Sequence, residues 1–94
     1  MPKIIAYNAY IRFALQAKKV WGSRRTLSTS LLIEIDRMSS DPAKFYNEDY
    51  LTEKVAEIEH LDKEMQTALR LANEAATICD APQLTSHSLR EIFN

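Results

Sequence analysis

The chain has 94 residues, 46% hydrophobic and 27% charged, with a formal net charge of −1. That balance is globular, which excludes wholesale disorder, and the length fits one domain with one core. One Gly and three Pro leave little material for tight hairpins and favour helices, and a single cysteine excludes an internal disulfide.

No apolar run approaches a membrane span, and no signal-peptide pattern stands out, so a cytoplasmic setting with no membrane partner is expected. The small net charge hides an asymmetry. Lys3, Arg12, Lys18, Lys19, Arg24 and Arg25 precede Ile33 with no acid among them, whereas acids outnumber bases from Glu34 onward. Attraction between the two halves of one folded chain is the simplest reading of that layout.

The first expected helix covers 3–21, with Pro2 near its start and Gly22-Ser23 as a C-terminal stop. Asn8, Arg12, Gln16 and Lys19 form a narrow polar stripe on it, and apolar residues cover most of the remaining circumference. A helix so widely apolar needs several neighbours or a partner protein. Ile4, Tyr7, Tyr10, Ile11, Phe13 and Trp21 are therefore the candidate protein-interface residues. The Arg-bearing, acid-free amphipathic start also has the character of a mitochondrial presequence. Tyr10-Ile11-Arg12 is similar to the Leu-Tyr-Arg motif of a family of small helical mitochondrial proteins. Ile11 stands where that motif has Tyr, and Tyr10 where it has Leu, so the resemblance covers three residues and assigns no role to any of them.

A second helix is expected over 27–38, where Leu27, Leu31, Ile35 and Met38 share a face. Strand alternation through Leu27, Thr29, Leu31, Ile33 and Ile35 fits the same residues in a dimer-paired ribbon. Asp41 and Pro42 suit the start of another helix, and Asn47 ahead of Glu48 and Asp49 suits a restart. The stretch from there to residue 80 is the longest uninterrupted helical pattern, and the chain is expected to be organised around it. Leu51, Val55, Ile58, Met65, Leu69, Ala72, Ala76 and Cys79 form its apolar seam, broken at Asp62. Ala68, Ala72, Ala75 and Ala76 allow close approach of another backbone. Pro82 ends this helix, and a short helix over 86–93 follows, with Ser88 and Glu91 at capping-box spacing. Leu84, Leu89, Ile92 and Phe93 are expected to pin it to the core. The fold class is thus all-α: a small bundle of three to four helices built on one long helix, about 47–80, in a single domain spanning 1–94.

The chemistry-bearing residues argue against catalysis. Gly22 is the only glycine, so no glycine-rich phosphate loop exists. The two histidines, His60 and His87, have no nucleophile arrangement around them in the sequence. Glu57 and His60 have the Glu-x-x-His spacing of helical di-iron sites, but the pattern turns them toward solvent, and a site would need a further carboxylate such as Glu34 from a partner. No catalytic residue, metal ligand or cofactor is therefore assigned. Lys18, Lys19, Arg24 and Arg25 around Trp21 could contact phosphates, although a pI near 6.1 is low for a nucleic-acid domain.

The expected function is a non-enzymatic helical interaction module that docks on a protein partner, possible homodimer included. It would be an adaptor, subunit or inhibitor of a larger protein machine, of the kind phages and plasmids encode. The alternative is a nucleic-acid-binding accessory protein that uses Lys18, Lys19, Arg24 and Arg25.

Overall fold

The computed structural model describes residues 2–93, the side chains of residues 92 and 93 excepted. Four helices follow in order: α1 (Lys3–Ser40), α2 (Pro42–Phe45), α3 (Glu48–Cys79) and α4 (Ser86–Phe93). The molecule is all-α over the described residues, with one long helix packed along a second. The two run antiparallel, with Lys3 paired to Asp80 near one end and Arg24 to Asp62 near the middle.

Both long helices carry a heptad seam. Along α1, Ala6, Tyr10, Phe13, Ala17, Val20, Arg24, Leu27, Leu31, Glu34 and Met38 alternate at steps of four and three, and each is buried or half-buried. Along α3, Leu51, Lys54, Ile58, Leu61, Met65, Ala68, Ala72, Ala75 and Cys79 do the same. This spacing keeps one stripe of each helix facing the other over its full length. The deepest core gathers around Ala17, Val20, Met65, Leu69 and Ala72, with Leu84 and Leu89 closing over it from the C-terminal segment. Ala17, Ala68 and Ala72 lie on the seam there, small side chains that permit a close approach of the two backbones.

α1 is the longest element, at 38 residues, and it runs straight through the expected stop at Gly22-Ser23. A lone mid-helix glycine costs about 1 kcal/mol relative to alanine, which a continuous seam on either side outweighs. The hydroxyls that follow do not end the helix either. Ser23, Thr26 and Thr29 donate to the carbonyls of Lys19, Gly22 and Arg25, four residues back, a bond made within a continuing helix. The separate helices expected over 3–21 and 27–38 are one element, and the strand alternative for 27–36 is excluded. The chain is organised around α1 and α3 jointly rather than around α3 alone.

At the tip of the hairpin, Asn47 caps α3 by accepting the Tyr50 N–H at 3.0 Å, so the expected restart there is present. Val55 was expected on the α3 seam but is 45% exposed. Lys54 occupies the inward position instead and turns its ammonium toward Glu57, using its methylene stem to fill the seam. At the other end, Asp80 takes the left-handed conformation (φ 59°) and the Ala81 N–H returns to the Ala76 carbonyl at 3.0 Å, which stops α3. Asn73 then clamps the connection. Its side-chain amide donates to the Leu84 carbonyl at 2.8 Å and accepts from the Leu84 N–H at 2.7 Å. The cap of α4 is Thr85 with Ser88, whose hydroxyls and N–H groups bond reciprocally, and not the expected pair Ser88 and Glu91. Leu84 and Leu89 are buried as expected, whereas the pinning role expected of Ile92 and Phe93 lies outside the described side chains.

Candidate protein-docking surface

The molecule measures 60 × 22 × 14 Å. The two long helices lie side by side as one layer, and α4 packs on one of its broad sides. Each helix buries one stripe and leaves most of its circumference outside. On α1 the inward positions of the first half go to Ala6, Tyr10, Phe13 and Ala17. The helical period therefore places Ile4, Tyr7, Ile11 and Leu15 on the outer side, where Ile4 is 67% and Leu15 58% exposed. Their spacing of three, four and four residues makes them a continuous ridge on one face. Leu32, Ile33 and Ile35 are also exposed, further along the same helix.

The six candidate interface residues divide. Ile4, Tyr7 and Ile11 lie on the outer ridge. Tyr10, Phe13 and Trp21 are half-buried against the intramolecular core, where a partner could not reach their inner faces. The Tyr10 hydroxyl donates to the Pro82 carbonyl at 2.9 Å and so ties α1 to the C-terminal segment. Burial, followed by the charges that Cys79 and Tyr7 would carry when ionised, raises the Tyr10 pKa above its ordinary value. Trp21 lies beneath Arg90 of α4, whose guanidinium stands 5.7 Å from the ring centroid, and its indole N–H is buried without a hydrogen-bond partner.

The basic cluster divides as well. Lys18, Lys19 and Arg25 are exposed, but Arg24 sits on the seam and pairs with Asp62. The expected α3 seam breaks at Asp62; the observed one passes through Leu61, and Asp62 lies beside it, facing the one cation of the α1 seam. Elsewhere the acids and bases form short-range pairs within a helix: Arg37 with Glu34, Arg70 with Glu74, and His60 with Glu64 at 2.7 Å. Glu57 meets Lys54 rather than His60. Among the described residues no three His, Cys, Asp or Glu side chains come together as a metal-ligand set, and no helix is long and apolar enough to cross a membrane.

Leu15 is the residue that sequence reasoning left out of the interface. The available signal was the heptad register, which assigns Tyr10, Phe13 and Ala17 inward and thereby assigns Leu15 outward. No protein-family model, curated protein or solved structure matches the chain.

Proposed function

We propose that the protein is a non-enzymatic helical interaction module, an adaptor, subunit or inhibitor, that presents the α1 ridge Ile4, Tyr7, Ile11 and Leu15 to an apolar groove on a protein partner. The observation that carries this reading is the exposure of the ridge along the outer side of α1. Anchors at such spacing on an amphipathic helix suit helix-in-groove recognition, where large apolar side chains supply most of the affinity. The test is to recover the tagged protein from its native host in parallel with an Ile4→Ser, Ile11→Ser, Leu15→Ser variant. The ridge lies outside the core, so the variant should keep its helicity and lose the co-purifying protein. Retention of the same partner at the same yield would overturn the reading.

The nucleic-acid alternative draws on the exposed Lys18, Lys19 and Arg25. It is the weaker proposal because Arg24 is neutralised by Asp62 and the acids of α3 run alongside. Retardation of DNA or RNA that is lost with rising salt would favour it over protein docking.

A further inference from the structure

The two broad sides of the hairpin are not equivalent. One side is occupied near the open end by α4, whose Arg90 lies over Trp21 and whose Leu89 joins the core cluster that holds Leu69 and Ala72. The opposite side is open along its length. Two shallow grooves run end to end there and share His60. Their floor is apolar, formed by Phe13, Leu27, Leu61, Ala68 and Leu71, and the α3 wall carries three carboxylates, Glu53, Glu57 and Glu64, against one cation, Lys63. Glu74 continues this acidic edge one heptad beyond Thr67. Arg12 and Lys19 share the corresponding heptad position on α1 and make the other edge basic, with the Arg12 guanidinium 4.9 Å from the Phe13 ring centroid.

We infer that this face docks on the same face of a second copy, giving a four-helix bundle about a two-fold axis parallel to the helices. Charge complementarity between the two edges selects both the occupant and the axis. A two-fold in that direction sets α1 of each copy over α3 of the other, at the height that the Arg24 and Asp62 pair fixes within one chain. Lys19 then meets Glu64 of the second copy, and Arg12 meets Glu74. A two-fold across the helices would instead set α1 on α1 and α3 on α3, opposing like charges along both edges. Closure about a two-fold satisfies both copies at once. The local pairs of Glu64 with His60 and Glu74 with Arg70 are exposed, so they are readily exchanged for pairs across the interface.

This inference rests on the reading of the helical faces as docking surfaces, but it concerns a different face from the α1 ridge. Its test is the mass by light scattering at tens of micromolar, where twice the chain mass of 10.8 kDa is expected. Arg12→Glu with Lys19→Glu should return the protein to a monomer of unchanged helicity. Adding Glu64→Lys and Glu74→Lys should restore the dimer, because the reversed edges are again complementary. A monomer for the parent protein, or a dimer indifferent to the reversal, overturns the inference. A monomer that still binds its partner through the ridge does so while leaving the functional proposal standing. A charge-sensitive dimer whose ridge variant keeps the partner upholds the dimer and overturns that proposal.

Discussion

Tyr10 shows how one side chain serves several parts of the structure. Its ring fills an inward position of the α1 seam, and its hydroxyl holds the Pro82 carbonyl, so it closes the hairpin onto the segment that leads to α4. Replacing it by Phe keeps the ring and removes the bond, which should cost about 0.5–1.5 kcal/mol in chemical denaturation. A pH dependence follows from its raised pKa. The native state favours the protonated phenol, so this contribution is fully present below the ordinary value of 10.0 and is lost as pH rises through the higher folded value. Between the ordinary and the raised folded value the parent protein should therefore lose stability more steeply than Tyr10→Phe does. Parallel alkaline slopes for the two proteins would show that Tyr10 contributes nothing to the loss.

Within the elements, α1 is continuous because a seam of alternating steps outlasts one poor helix former. Gly22 lies on the outer side, and a Cβ there would meet no atom within 4 Å. Gly22→Ala should thus gain about 0.5–1 kcal/mol and raise the melting temperature by several degrees, with no change in assembly. A lowered melting temperature would mean that α1 breaks at this point after all. The alanines of α3 should respond in the opposite sense. Ala72 is fully buried and Ala76 is 1% exposed, so Leu at either position should cost about 1–3 kcal/mol by forcing the packed segments apart.

The same elements show what the sequence made legible. The all-α class, the start of α3 at Asn47, its stop before Pro82 and the short final helix could all be read from caps, prolines and apolar spacing. The continuity of α1 could not, because Gly22-Ser23 is locally identical to a stop and only the tertiary partner decides whether the helix continues. Val55 and Lys54 exchanged places for a related reason. Apolarity alone favours Val55 on the seam, but the register is set by the whole of α1, and a lysine stem is apolar enough to lie in it. Three of the six candidate interface residues, Tyr10, Phe13 and Trp21, pack in part against the chain's own core, since a sequence lists apolar side chains without saying which of them meet a neighbour.

At the scale of the whole molecule, a single layer of two long helices cannot cover its own apolar surface. α4 covers a part of one broad side, and the outer ridge of α1 and the opposite broad side stay exposed. The most direct measurement is site-specific photo-crosslinking in the native host, with the reactive group at Leu15 on the ridge and, as a control, at Arg70 on the polar outer side of α3. The account predicts a discrete protein adduct from Leu15 and none from Arg70. Adducts of equal yield from both positions, or an adduct to nucleic acid in place of protein, would contradict it.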